Sequence, residues 1–154
     1  MKKSYLFLIA LSVIFLDQLS KLAALNTLGS GWVAHVLPGL NFSLAFNRGV
    51  AFSFFYDTGS QSPWFLIAMT SVLSVVILVM LLNTPPDKKY QQITLAMILG
   101  GALSNIFDRI YYKAVIDFID VYLGTHHWPV FNLADSAICL GAFILILNGL
   151  QEKK

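Results

Sequence analysis

Cysteine occurs once in this chain, at Cys139, and glutamate once, at Glu152. A lone thiol excludes an internal disulfide and a cysteine-based metal cluster, and its place in an apolar run reads as an inert packed side chain. Charge is scarce too: 12% of residues are charged while 57% are hydrophobic, whereas soluble domains carry about 25% charged residues. That balance excludes a soluble globular fold, and the length of 154 residues suits one integral-membrane domain, 1–154. The net charge of +2 comes from scattered basic residues, so nucleic acid is not an expected partner. There is no phosphate-binding glycine loop and no Ser, His and Asp constellation. His126-His127 are adjacent rather than spaced as metal ligands, and read as solvated loop residues. Neither a metal nor a cofactor is called for.

What the chain does have is apolar length. Residues 5–25, 63–82, 93–112 and 132–150 each suit a span of about 20 residues. Met1-Lys2-Lys3 before the first run, with Ala23 and Ala24 as small residues, also fits a cleaved signal peptide. The apolar pattern resumes beyond Asp17 and Lys21, however, which favours a retained helix. Asp17 and Lys21 lie four apart on one helical face, either as a self-neutralised pair ending the span or as a brace for a site. Pro63 opens the second span, where its missing N–H is harmless. A polar turn at 83–92 precedes the third, which turns polar at Asn105, Asp108 and Arg109 on one face; Gly100-Gly101 permits another helix to come close.

Residues 26–62 are rich in Gly and aromatics, and Asn41 to Phe46 alternates polar or small with large apolar side chains before Asn47-Arg48-Gly49. Short strands and a turn are predicted there, forming a small sheet on the membrane surface. Asn47 and Arg48 are candidate donors to a substrate backbone, or ordinary turn residues. The expected fold is an all-α membrane protein, a four-transmembrane-helix bundle with a small extracytoplasmic β-cradle. Lys2, Lys3, Lys88, Lys89, Lys153 and Lys154 fall on one side of such a bundle, which puts both termini in the cytoplasm. Trp32, Trp64 and Trp128 fall on the other side, as an interfacial belt would. Asp17, Lys21, Asn47, Arg48, Asn105, Asp108, Arg109, Asp117 and Asp135 then share the outer leaflet.

Of the 8 acidic residues, Asp108, Asp117, Asp120 and Asp135 lie within 100–138, between spans where an ionised side chain costs about 2.5–3.5 kcal/mol. Two carboxylates about 4 Å apart at an effective dielectric near 20 repel by about 4 kcal/mol. That is roughly three pKa units, enough for a pair to keep one proton up to about neutral pH. Such a pair deprotonates a water as it attacks a carbonyl carbon and donates to the leaving amine, with no nucleophilic side chain or metal. We read Asp117 and Asp135 as that pair, hydrolysing a peptide bond near one membrane face. Each has a plainer alternative: Asp135 as the third residue of a helix capped by Asn132, and Asp117 with Asp120 as the exposed face of a surface turn. Two other functional classes compete, a small proton-coupled transporter using the acids as a relay and a non-catalytic scaffold. The transporter needs polar residues through the membrane thickness, and the cytoplasmic halves of the spans have almost none.

Five segments resemble one family. Asp17-Gln-Leu-Ser-Lys21 is similar to D-x-x-[ST]-K, Asn47-Arg-Gly-Val-Ala-Phe52 to N-x-G-x-A-F, and Gly100 to Arg109 to G-G-x-x-x-N-x-x-D-R. Val115 to Phe118 and Phe131 to Asp135 resemble the segments carrying the catalytic aspartates of the lipoprotein signal peptidases, or signal peptidase II, in the same order and spacing. The resemblance implies an aspartyl endopeptidase of the bacterial inner membrane with Asp117 and Asp135 as its dyad. It also implies a diacylglyceryl-modified prolipoprotein substrate cut before the lipid-modified cysteine, four transmembrane helices, a periplasmic β-cradle and inhibition by globomycin-type compounds. By the same matching Asn47, Asn105, Arg109 and Asn132 bind or orient substrate, with Gly49 and Asp108 in the matched motifs, while Asp17 and Lys21 brace the pocket. Ser104 stands where the family often has Gly, and Asp120 matches no catalytic position.

Overall fold

The structure, a computed structural model, describes residues 3–29, 31–49 and 63–151. Val50 to Phe52 of the Asn47 motif, and the terminal residues Met1, Lys2 and Glu152 to Lys154, lie outside them. Helix α1 (Lys3–Thr27) leads to strands β1 (Val33–Leu37) and β2 (Leu40–Asn47), then to helices α2 (Pro63–Asn83) and α3 (Lys89–Tyr112). Strands β3 (Val115–Leu123) and β4 (His126–His127) follow, and α4 (Leu133–Gln151) closes the described chain. Helices α1, α2 and α3 are long and apolar enough to cross a membrane; α4 is apolar over the shorter stretch Leu133–Gly149. Their outward side chains, among them Phe7, Leu11 and Phe15 on α1 and Phe65, Val72 and Val75 on α2, are exposed, an arrangement stable where hydrocarbon replaces water. Cys139 is exposed as well, not packed inside as the sequence suggested.

Polar groups on the spans are satisfied locally. Thr70 and Ser74 donate to the carbonyls of Leu66 and Thr70 one turn back, which keeps their hydroxyls paired in apolar surroundings. Helix α3 starts four residues earlier than the polarity of 83–92 suggested. Pro85 accepts from the Lys88 N–H, and Gln92 Nε2 donates to Thr84 O at 3.0 Å, so those polar residues fold onto the end of α2.

Helix α3 is central and packs against the other three helices. The twin glycines explain how. A Cβ on Gly100 would sit 2.6 Å from Ala10 O of α1, and one on Gly101 would sit 2.6 Å from Ala134 O of α4. Consecutive helical residues point about 100° apart, so the pair opens α3 to close neighbours on two sides. Gly101→Val is therefore expected to displace the start of α4, costing about 1–3 kcal/mol by overpacking and reducing activity with it. Thermal unfolding in detergent measures this; an unchanged midpoint would contradict the packing described.

The sheet is antiparallel in the order β1-β2-β3-β4 and lies at the end where α1 and α3 finish and α2 and α4 begin. Strands β1 and β2 arise in the first long connection, as expected. β3 was not anticipated: the plainer alternative put Asp117 and Asp120 on an exposed surface turn, yet both are buried in this strand. Val115 to Phe118 are buried at four successive positions, so the strand is covered on both faces and shows no alternation to read. A bulge between Phe42 and Ala45 sets two residues of β2, Ser43 and Leu44, against one of β3, Phe118. It reverses the parity of β2 between Asn41 and Asn47, re-aiming side chains as bulges near functional sites do. Asn41 thus shares a face with Asp120, and Asn47 shares the opposite face with Asp117.

Candidate active site

Under the sheet lies a buried ion cluster joining α1 to α3. Lys21 Nζ has three acceptors for its three protons: Asp17 Oδ2 at 2.6 Å, Asp108 Oδ2 at 2.7 Å and Asn105 Oδ1 at 3.0 Å. Asp17 Oδ2 also accepts from Ser104 Oγ at 2.7 Å, and its Oδ1 from the Ala134 N–H at 2.8 Å. Asp108 accepts from Gln18 Nε2 at 2.7 Å and from the Ile116 N–H at 3.2 Å. Asp17, Lys21 and Asp108 are at most 1% exposed, and partners on every oxygen and proton make that burial tolerable. The two readings of Asp17 and Lys21 are thereby separated: they do not end the span but tie α1 to α3 and to the start of α4.

Two asparagines carry this order upward. Because an ammonium only donates, Lys21 fixes the Asn105 amide with Oδ1 toward it. Asn105 Nδ2 then faces Asp135 Oδ1, at 2.8 Å. Asn132 Oδ1 accepts from the Asp135 N–H at 2.8 Å, and Asp135 Oδ2 accepts from the Asn132 N–H at 3.3 Å, a reciprocal cap at the N-terminus of α4. The capping alternative for Asp135 is thus correct as geometry, and it leaves that carboxylate oriented by Asn105. Asn132 Nδ2 donates to Asp117 Oδ1 at 2.6 Å and lies 3.3 Å from Asn105 Oδ1. From the other side Asn47 Nδ2 donates to Asp117 Oδ2 at 3.0 Å, its own Oδ1 held by the Gly49 N–H at 2.9 Å. Gly49 has φ +93, and a Cβ there would strike Leu66, so glycine is required at that turn.

The carboxylates of Asp117 and Asp135 therefore share Asn132, whose side-chain amide donates to Asp117 and whose backbone N–H donates to Asp135, while Asn105, itself bonded to Asn132, holds Asp135. Burial is the largest influence on Asp117 and pushes its pKa up to about 6; bonds from Asn47 and Asn132 oppose the shift and the charge of Asp135 adds to it. Desolvation thus outranks the mutual repulsion expected from sequence. Arg109 stands beside the pair, half-buried. Its Nη1 reaches Asn105 O only at 3.5 Å, and its buried Nε has no hydrogen-bond partner among the described residues. Arg48 is exposed. Neither Gln18 nor Ser104 was given a role from sequence: Gln18 lies inside the Asp17 to Lys21 motif, and Ser104, noted only as standing in place of Gly, contributes a hydroxyl that glycine would lack. His127, read as solvated, is exposed and in addition pairs with Asp120 at 2.7 Å.

Fold and site together define a multi-pass membrane protein whose polar residues gather at one end of its helices. The family model described as Signal peptidase (SPase) II matches residues 9–151, and the chain belongs to that family. It is 46% identical over 144 residues to the lipoprotein signal peptidase of Polynucleobacter necessarius, covering 94% of this chain and 88% of that one. To the lipoprotein signal peptidase of Vibrio cholerae it is 40% identical over 148 residues, covering 95% and 86%. A solved structure described as a bacterial membrane enzyme superposes with a TM-score of 0.85 at 28% identity, over 96% of this chain and 93% of the other. The transporter alternative gains no support from these relatives.

Proposed function

We propose that this member of the signal peptidase II family removes the signal peptide from lipoprotein precursors, with Asp117 and Asp135 as the catalytic residues of an aspartic endopeptidase. The meeting of both carboxylates at Asn132, which bonds Asp117 through its side chain and Asp135 through its backbone N–H, carries this reading. One proton shared by the pair lets one carboxylate take a proton from water as it attacks the scissile carbonyl, while the other protonates the carbonyl oxygen and then the leaving amine. Asn47, Gly49, Asn105 and Asn132 hold the dyad. Arg109, whose buried Nε has no hydrogen-bond partner among the described residues, donates to a carbonyl of the substrate backbone. Asp17, Lys21 and Asp108 keep α1, α3 and α4 in register beneath it.

The finer features follow the same reading. The substrate carries a diacylglyceryl-modified cysteine and is cut just before it, in a single domain that globomycin-type inhibitors block. With 19 residues, α4 is about 28 Å long at 1.5 Å per residue, which supports a fourth crossing of a hydrocarbon core about 30 Å thick. Lys3, Lys88 and Lys89 lie at the end away from the sheet, which supports an inner-membrane orientation with cytoplasmic termini and the dyad near the periplasmic face.

The purified chain is expected to cut a diacylated precursor before its cysteine and to leave the unmodified precursor intact; equal cleavage of both would remove the lipid requirement. A pH dependence follows from Asp117. Its raised pKa of about 6 lets the pair retain a proton that an ordinary aspartate loses near 4. Activity, read as kcat/KM, should therefore fall as pH rises through about 6. The stability from the same proton is present below about pH 4 and is lost over the same rise. A rate flat from pH 5 to 8 would remove the proton-sharing step.

A further inference from the structure

One row of side chains on the sheet takes no part in the site described above. It draws one residue from each strand: His35 of β1, Asn41 of β2, Asp120 of β3 and His127 of β4. His35 Nδ1 lies 2.8 Å from Asn41 Oδ1, Asn41 Nδ2 donates to Asp120 Oδ2 at 3.0 Å, and His127 Nδ1 lies 2.7 Å from Asp120 Oδ1. The acceptors fix every direction, because the carboxylate takes a proton from each neighbour and both histidines donate through Nδ1. Asp120 is 5% exposed, and the hydrogen bond from His127 is the main reason its pKa stays below the usual carboxylate range despite burial. The His127 ring also stacks on Tyr122, with centroids 5.1 Å apart.

This row crosses the hairpin that joins the two aspartates. One limb is β3, carrying Asp117 three residues before Asp120. The return limb runs through β4 to Phe131, whose N–H and C=O pair with Ile119 and whose C=O also accepts from Phe118. The next residue is Asn132, which bonds Asp117 and caps the helix of Asp135. At the tip the backbone pairing is short, Tyr122↔His127 and Leu123↔His126 with Trp128 N to Val121 O, and Leu123 and Trp128 are exposed. We propose that Asp120 and His127 are positioning residues for the peptidase reaction, clamping the two limbs so that Asp117 and Asn132 meet at a fixed separation.

This inference rests on the assignment of Asp117 and Asp135 as the dyad. Its test uses the purified full chain and a diacylated precursor, with kcat and KM measured across pH on preparations whose folded fraction is fixed by thermal unfolding. His127→Ala should lower kcat about 10-fold with KM changed less than about twofold, since misplacement remote from the reacting atoms costs up to about 100-fold. It should also move the alkaline limb to lower pH. Asp135 of α4, Lys21 of α1 and Arg109 of α3 all still face Asp117, but a loosened hairpin lessens its burial and its coupling to Asp135. Asp120→Asn should match this loss, the double variant should be no worse than either single one, and His127→Gln, which keeps a donor, should recover most of kcat. His126→Ala, at an exposed position of the same strand, should behave as the unaltered protein. Wild-type kcat in both His127→Ala and Asp120→Asn overturns the clamp, as does a fall in kcat with the pH limb unmoved, the mark of a purely structural role. If Asp117→Asn itself still cleaves, the dyad falls and the clamp with it; if that variant is inactive while the clamp variants are normal, the clamp alone falls.

Discussion

Replacing Asp117 with Asn is expected to lower precursor cleavage at least about 1,000-fold, within the range of about 100- to 10,000-fold for removing a positioned acid or base. Insertion and abundance should stay near normal. The change is nearly isosteric, and the amide retains an oxygen to accept from Asn132 or Asn47, whose bonds to Asp117 measure 2.6 and 3.0 Å. It cannot take a proton from water. Asp135→Asn should be equally inactive, although its Oδ2 also accepts from the Asn132 N–H in the cap of α4, so a small loss of thermal stability should accompany it. Cleavage of a diacylated precursor in membranes, with abundance measured alongside, decides both. Retained activity in either variant would remove that residue from the dyad.

The largest loss of stability is expected from Lys21→Met. Methionine fills most of the volume but leaves Asp17 and Asp108, both buried, without the cation that sits 2.6 and 2.7 Å from them. Breaking a buried ion pair from one side costs about 3–5 kcal/mol, or roughly 10 °C in the unfolding midpoint of a chain this long. Activity should fall further than stability alone explains, because Lys21 also fixes the direction of Asn105 and hence the donor to Asp135. Lys21→Arg should not restore it, since a planar guanidinium cannot meet three acceptors arranged for an ammonium. A midpoint within about 2 °C of the unaltered protein would show that the cluster is not a structural keystone.

The helices were legible because uncharged length is an unambiguous signal in a chain this apolar. Gly100-Gly101 was legible for a similar reason, as adjacent glycines inside a span have few uses besides close helix packing. The polar residues of α1 and α3 could be assigned to one end of the bundle by their order alone. What remained hidden depended on three-dimensional coverage. β3 is buried on both faces, so Val115 to Phe118 carries no alternation. The bulge after Phe42 leaves no mark in sequence, yet it decides that Asn47 rather than Asn41 meets Asp117. Asp108 looked like one of several polar residues on a helix face, and only the fold reveals that Lys21 belongs to it as much as to Asp17. Ser104 and His127 were discounted as single residues because their partners, Asp17 and Asp120, are distant in sequence or on another strand.

The central claim is that Asp117 and Asp135 hold one proton between them at the sheet end of the helices. Infrared difference spectroscopy of the purified protein, titrated from pH 8 to pH 5, reads that proton directly as a carboxylic C=O band. One protonated carboxyl should appear near pH 6, where burial places Asp117, and the band should be lost or displaced in both Asp117→Asn and Asp135→Asn. A band that persists unchanged in either variant, or two carboxyls titrating independently near pH 4 as exposed aspartates do, would contradict a shared proton.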